Sequence, residues 1–527
     1  MKRLLIVCLA ALGAVVIGHA QTPLDPAKLL NPGTDSWPSY NGDYSGRRFS
    51  TLKQIDDKNV GSLSLAWVYR VNLQSGPTTI KGTPIVIDGV MYLTVPDHVW
   101  AIDARTGRQI WHHGWTSKGG IHIGNRGVAV LGDALFYETP DCNLVSLNIK
   151  DGSERWHKQI CDLEAFYYGS VAPVAVKNHI IAGVSGDDLD IPGYLQAHDP
   201  VTGELQWRWF VVPQKEGDPG SDTWPNEEAG KHGGGMTWQP VTYDPELNLL
   251  YVTTGNPQPV IAFRNREGAN LFTASIVALN PDTGKMAWYF QSSPNDTHDW
   301  DATQTAVLID DVVDGKPRKL LAQASRNGKF FVLDRTNGKA VVSADYAKTN
   351  WSTGYDAKGQ PIPNPDKKPH VDGVLVTPDQ GGATNWPPPS FSPATGLFYV
   401  AASRAFSIFY IYDPGENPQG WGGTDRGGWS QSMLQAIDYK TGKIRWTHQW
   451  DSSARSGLLS TAGNLLFAGG NTQDLVALNA TTGDALWHAR LGNAVSNGPI
   501  TYEMDGRQYV IVGAGDTLFA FVMNSGR

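Results

Sequence analysis

The segment AIDARTGRQIW, residues 101–111, recurs in altered form along the chain: SLNIKDGSERW ending at Trp156, AHDPVTGELQW at Trp207, ALNPDTGKMAW at Trp288, AIDYKTGKIRW at Trp446 and ALNATTGDALW at Trp487. A seventh copy, VLDRTNGKAVV, lacks the tryptophan. Each unit reads as strand, tight turn, strand, because its glycine supplies the positive φ that such a turn needs. The closest copies are spaced like four-stranded propeller blades of roughly 40 to 50 residues, and wider gaps imply loops inserted between strands. An eighth unit is expected from NVGSLSLAWVYR, around Trp67, pairing with the terminal strands YVIVGAG and TLFAFVM so that the ring closes and no sheet edge stays open. The reading is therefore an all-β chain, an eight-bladed β-propeller in which the repeated tryptophans dock blade on blade. Chemistry then belongs where the insertions converge, on one face of the ring near its axis.

Composition agrees. The 527 residues are 41% hydrophobic and 18% charged, with 58 Gly, 33 Pro, 19 Trp and 19 Tyr, a profile of many short strands and tight turns. The start, MKRLLIVCLAALGAVVIGHAQTP, has the layout of a secretory signal: Lys2 and Arg3, an apolar run, then small residues before a cleavage site near Ala20. A membrane anchor is the other reading of that run, but it is short for a span of about 20 residues. We expect residues 1–20 to be a signal peptide, residues 21–527 to form one propeller domain, and the mature protein to be periplasmic without a membrane span. Loss of Lys2 and Arg3 takes the formal charge from −8 to −10, so nucleic acid is not an expected partner. Cys142 and Cys161 would remain in an oxidising compartment, where one disulfide is plausible but not readable from spacing. No CxxCH occurs, so no covalently bound c-type haem is encoded.

The segment 295-NDTHDWDATQ-304 gathers Asp296, Asp299 and Asp301 with His298 and Trp300 where an ordinary strand should end. Such a cluster suits a cation, a catalytic task, or both. Together with WPSYNGDYSGRRFSTLKQIDDKNVGSLSLAW, GGGMTWQPVTYDPELNLLYVTTGNP and RNGKFFVLDRTNG, it makes the chain resemble the pyrroloquinoline quinone (PQQ)-dependent alcohol dehydrogenases of the methanol/ethanol type, over essentially its whole mature length. The resemblance implies an eight-bladed propeller. It also implies Asp299 as catalytic base, and Asp188, Asn256, Asp299 and Asp301 as ligands of one metal ion. The cofactor-contacting positions it implies are Lys81, Arg126, Ser170, Ser185, Gly186, Asp187, Trp238, Arg326 and Asn385.

Asp301 is the residue that points to a lanthanide(III) ion rather than Ca²⁺, because calcium-dependent members of the family usually carry a small residue there. In an extended segment Asp299 and Asp301 would project to one side and face one ion. Asp296 and His298 are read as supporting residues of the loop. Two departures stand out. Gly120 and Ile121 occupy the place of the family's vicinal cysteine pair, so another group must cover that face of the quinone. Lys81 stands where the family usually has Glu or Gln, and either pairs with a cofactor carboxylate or is solvated.

The implied reaction oxidises a small, primary alcohol to an aldehyde by hydride transfer to PQQ and delivers electrons to a separate soluble cytochrome c. The alternatives carried with it are a PQQ dehydrogenase of sugars or polyols and a non-catalytic propeller serving as a binding or assembly scaffold. A homodimer is compatible with the sequence, which does not fix the oligomeric state.

Overall fold

The computed structural model describes residues 27–74, 76–186, 189–313, 315–412, 420–450, 456–470 and 472–524. The expected signal peptide lies outside them. The described α-helices are the short Ala27–Leu30 and Glu227–Lys231. Among the described residues no helix is long and apolar enough to cross a membrane.

Among the described residues, strands form six four-stranded and two five-stranded sheets, with a two-stranded ribbon at Ser352–Tyr355 and Pro361–Pro363. The sheet holding the first repeat is typical. Ile85–Ile87, Val90–Val95, His98–Asp103 and Gln109–Gly114 pair in sequence order, all antiparallel. Leu63–Arg70 pairs antiparallel with Thr517–Met523, with Trp67 opposite Ala520, so the start of the chain completes the last sheet as the sequence predicts.

The repeated glycine and tryptophan meet between sheets, not within one. Gly152 lies on Trp111, Gly203 on Trp156, Gly284 on Trp207, Gly338 on Trp288, Gly483 on Trp446, and Gly107 on Trp67; a Cβ at any of them would stand 2.6–2.8 Å or less from the neighbouring indole or the side chain beside it. The indole Nε1 of Trp111, Trp207, Trp288 and Trp446 donates to a carbonyl of the next sheet's turn region, as in Trp207 to Pro281 at 2.7 Å. The copy without tryptophan uses aliphatic groups instead: Gly442 packs on Val342 and Ala344. Trp487 meets Phe521 edge-on at 5.3 Å, and the last sheet returns to the first through Trp67 and Gly107.

One feature was not predicted. Where the tryptophan-bearing strand pairs, the register slips by one residue: Trp111 faces Ala101 while Gln109 faces Ile102, leaving Ile110 unpaired, and the same slip recurs beside Trp67, Trp207, Trp288, Trp446 and Trp487. A bulge raises local twist and re-aims a side chain, which turns each indole toward the neighbouring sheet.

The segment after the first helix runs along the first strands of the sheets. Trp37 pairs with Val86, Tyr44 Oη donates to Ala175 O, Leu308 N–H donates to Ser45 O, and Ser460 N–H to Arg48 O. Arg48 is fully buried and donates to the carbonyls of Leu458 and Pro499 at 2.9 and 2.7 Å; burial without a carboxylate partner lowers its guanidinium to about 10. Cys142 and Cys161 form a disulfide.

The glycine–indole contact makes a comparison possible. Gly152 and Gly132 both have positive φ, but only Gly152 has an indole against it. Alanine carries the same backbone penalty at both sites, so Gly152→Ala should cost about 1–3 kcal/mol more than Gly132→Ala through overpacking, read from urea midpoints. Equal losses would show that the contact contributes nothing.

Candidate functional site

In a four-stranded antiparallel meander, the connection between the second and third strands and the connection to the next sheet emerge at the same end. The residues singled out by the sequence sit on those connections: Lys81 before Ile85–Ile87, Arg126 before Ala129–Leu131, Ser170 before Val174–Val176, Trp238 before Thr242–Asp244, and Asp299 and Asp301 before Val307–Val313. Ser185, Asn256 and Arg326 sit between second and third strands. They meet around a cavity of about 380 Å³ lined by Lys81, Arg126, Ser170, Ser185, Trp238, Asp299, Asp301, Arg326 and Asn385. Gly186 adjoins Ser185 without lining it, Asn256 is buried beside Asp301 without lining it, and Asp187 and Asp188 lie outside the described residues.

The acidic loop is built from Asp296 upward. Its carboxylate accepts the Trp300 N–H at 2.9 Å and the His298 N–H at 3.3 Å, while its carbonyl accepts Arg266 Nη2 at 2.7 Å. Burial raises Asp296 to about 6. His298 stacks on Trp300 at 4.4 Å, and its Nε2 donates to Lys367 O at 3.0 Å; burial pushes the imidazole down to about 3, so the ring is neutral. Trp300 Nε1 donates to Asp379 O at 2.9 Å. Both residues therefore support the loop, as expected.

Within this frame Asp299 adopts φ +67. That left-handed conformation costs a non-glycine residue about 1–3 kcal/mol and persists where surroundings impose it. The extended geometry expected for this loop is thus corrected: Asp299 and Asp301 do face one cavity, but a left-handed residue held by the Asp296 turn brings them there. Arg326 spans the two, with Nη2 at 2.7 Å from Asp299 Oδ2 and Nη1 at 2.6 Å from Asp301 Oδ2. Asp301 Oδ1 accepts the Asn256 N–H at 2.7 Å, and Gln380 Nε2 donates to Asp299 Oδ2.

Two buried carboxylates against one guanidinium leave an excess of negative charge. Burial raises both, Asp301 to about 7, with Arg326 opposing the rise. Burial works against the Arg326 charge as well, but Asp299 and Asp301 outweigh it and hold the guanidinium above its ordinary value.

The donor set suits a hard cation. Asn256 donates its side-chain N–H to Pro257 O, leaving Oδ1 buried without a partner beside Asp301. An orphaned buried amide oxygen, on a residue whose backbone N–H bonds one of the two carboxylates, is a donor such an ion takes. Among the described residues no three His, Cys, Asp or Glu side chains cluster closely enough to hold a metal by themselves.

The rest of the cavity is aromatic and cationic. The Arg126 guanidinium lies 4.6 Å from the Trp238 ring and 5.8 Å from Trp386. Its Nη1 donates to Ser170 Oγ at 2.7 Å, and Ser170 Oγ lies 2.8 Å from Ser185 Oγ. Lys81 Nζ donates to Ile123 O at 2.6 Å; burial and then Arg126 lower its ammonium. This site can hold a flat, anionic aromatic molecule. Ile121 lines the cavity as well. Sequence reasoning missed Gln380, Trp386, Trp421, Tyr168 and Ile123. Trp421 arrives on the extension of two long strands, Leu397–Ile411 and Gly423–Asp438. Trp386 and Ile123 adjoin residues already named, which was the available signal.

The chain matches the family model for the PQQ glucose/ethanol/alcohol dehydrogenase β-propeller domain over residues 37–372 and 429–510. It is 38% identical over 523 residues to a quinohemoprotein alcohol dehydrogenase of Comamonas testosteroni, covering 92% of this chain and 73% of the relative. It is 36% identical over 534 residues to the quinoprotein alcohol dehydrogenase PedH of Pseudomonas putida, covering 94% and 87%. The solved structure of the Comamonas testosteroni enzyme superposes with a TM-score of 0.89 at 34% identity, covering 96% of this chain and 83% of that one. A europium-containing methanol dehydrogenase superposes with a TM-score of 0.84 at 27% identity, covering 94% and 99%.

The electrostatic arrangement can be tested without any cofactor. Arg326→Met removes the one guanidinium shared by two buried carboxylates, and should cost the metal-free protein roughly 3–5 kcal/mol in chemical unfolding. An unchanged midpoint would mean the carboxylates do not rely on that charge.

Proposed function

Because this chain belongs to the PQQ-dependent alcohol dehydrogenase family, a β-propeller oxidoreductase family, we propose that it oxidises a small primary alcohol to the aldehyde in the periplasm and passes the electrons to a separate cytochrome c. A cytochrome c acceptor is favoured by the name of one relative, the 1-butanol dehydrogenase (cytochrome c) of Thauera butanivorans, 34% identical over 526 residues. Export rests on the signal-like residues 1–20, ahead of one propeller domain at 21–527 in which we read the eight sheets as eight blades, seven of them carrying a docking tryptophan. A homodimer stays part of the reading.

One observation carries the site assignment: Asp299, Asp301 and Arg326, which line the cavity, and Asn256 beside Asp301 come from three separate connections of the fold and are joined by direct hydrogen bonds. Asn256, Asp299 and Asp301, with Asp188, would hold the metal ion; Trp238 would carry the flat face of PQQ, and Lys81, Arg126, Ser170, Ser185, Gly186, Asp187, Arg326 and Asn385 would meet its polar edge. When bound, the quinone supplies the two-electron oxidant and the ion a Lewis acid. The residues do the rest. Asp299 takes the hydroxyl proton of the alcohol as general base. Arg326 and Gln380 oppose the rise that burial imposes on its carboxyl and aim it, since both donate to Oδ2. The Asp296 turn fixes the left-handed backbone from which Asp299 reaches the cavity. Trp300, at 0% exposure, anchors the same loop by stacking on His298 and donating to Asp379 O.

The excess of buried negative charge favours a trivalent ion over a divalent one, so we assign a lanthanide(III), with Ca²⁺ as the rival. Both oxygens of Asp301 already accept one hydrogen bond each, yet a carboxylate has about four acceptor positions, which leaves room for an ion. A non-catalytic scaffold would have no use for such a costly charge cluster, and the sugar or polyol reading has no separate support in the cavity.

Two experiments follow. Asp299→Asn should lower dye-linked alcohol oxidation by about 10²–10⁴-fold while PQQ still binds; near-normal turnover would remove Asp299 from the base role. Protein reconstituted with PQQ should turn over with La³⁺ more readily than with Ca²⁺, and Asp301→Ala should abolish the La³⁺-supported rate. Activity with Ca²⁺ alone, or indifference to Asp301→Ala, would overturn the lanthanide assignment.

A further inference from the structure

The loop along one side of the cavity, residues 116–124, has little of its own to fix it. It contains no helix or strand, and no backbone–backbone hydrogen bond ties residues 116–124 to the rest of the chain. Ile121 and Ile123 line the cavity yet remain 49% and 52% exposed, so packing does not hold them. Gly120 has φ +83 and lies flat on Pro140, where a Cβ would stand 2.0 Å from the carbonyl oxygen.

What holds the loop is polar. Asp97 sits in the hairpin turn between Val90–Val95 and His98–Asp103. One of its oxygens accepts the Ser117 hydroxyl at 2.5 Å, and the other lies 2.6 Å from His122 Nε2. A single carboxylate, with 14% of its side chain exposed, thus ties together both ends of the arc that presents Ile121. Its carbonyl also accepts the Trp115 N–H at 2.7 Å. Asp141 accepts from Lys118 N and Trp115 Nε1, both at 2.9 Å, and Lys81 reaches Ile123 O. Bonds to a charged, largely desolvated acceptor are the strong ones.

We propose that Asp97 is a positioning residue for the cofactor: by clamping Ser117 and His122 it sets Ile121 and Ile123 as an apolar wall against the quinone face. This rests on the reading of the cavity as the PQQ site. A wall set in place before binding spares the quinone the cost of ordering it, so the clamp acts on cofactor affinity.

The test uses the full exported chain free of cofactor. Asp97 has φ +68. Glycine adopts that conformation without penalty and asparagine tolerates it. Asp97→Gly therefore removes the carboxylate without backbone strain, and Asp97→Asn keeps its shape. Tryptic cleavage after Lys118 should quicken in Asp97→Gly, with the thermal midpoint of the protein unchanged. PQQ titrated in the presence of LaCl₃, followed by quenching of tryptophan fluorescence, should bind at least about tenfold more weakly, and Asp97→Asn should restore most of the affinity. An unchanged cleavage rate would overturn the clamp. Faster cleavage with unchanged PQQ affinity would overturn the positioning role while leaving the PQQ site standing. Failure of the unsubstituted protein to bind PQQ would overturn both.

Discussion

Two carboxylates, Asp299 and Asp301, buried beside one guanidinium carry more negative charge than the interior tolerates, and the surrounding architecture answers that constraint. Arg326 bonds both; Asn256 N–H and Gln380 each take up a further lone pair. Asp296 spends its own carboxylate on the backbone of the same loop, and His298 is held neutral, so neither adds to the charge facing the cavity at neutral pH beyond what Arg266 and the turn absorb. A protein selected only for stability would replace such a group with apolar side chains, because unpaired buried charge is costly. The proposed cation would neutralise this charge.

The propeller makes that convergence possible. Every sheet sends two connections to the same end, so residues far apart in sequence, such as Arg126, Trp238 and Arg326, reach one cavity without long excursions. The glycine–indole contacts then set how closely neighbouring sheets approach, and the segment bearing Tyr44, Ser45 and Arg48 threads along their first strands. Sheet spacing and cavity width are therefore coupled.

Much of this was legible in the sequence because its signals are local. The Gly and Trp of each repeat lie four residues apart, and that spacing shows even in the copy where Val342 replaces the indole. NVGSLSLAW revealed its place in the last sheet by carrying Trp67. The bulge beside each tryptophan was not legible, since an unpaired residue leaves the composition of a strand unchanged. Asp299 and Asp301 stood out as an unusual density of acids, but the left-handed backbone at Asp299 has no signature in HDWD. Gln380 and Trp421 stayed hidden for a different reason: they lie in insertions whose lengths follow no period, and only the long hairpin of Leu397–Ile411 and Gly423–Asp438 explains how Trp421 reaches the cavity. Asp97 was silent too, because its partners Ser117 and His122 are defined by a loop with no regular structure.

The central claim is that oxygens from separate connections of the ring share one hard cation beside a stacked quinone. A crystal of the protein grown with PQQ and La³⁺, with data collected for the anomalous signal of lanthanum, addresses it directly. The account predicts one strong peak within about 2.3–2.6 Å, the range for large oxygen-bound cations, of Asn256 Oδ1 and of carboxylate oxygens of Asp299 and Asp301, with the quinone over Trp238. A peak elsewhere, or none with the cavity otherwise intact, would contradict it.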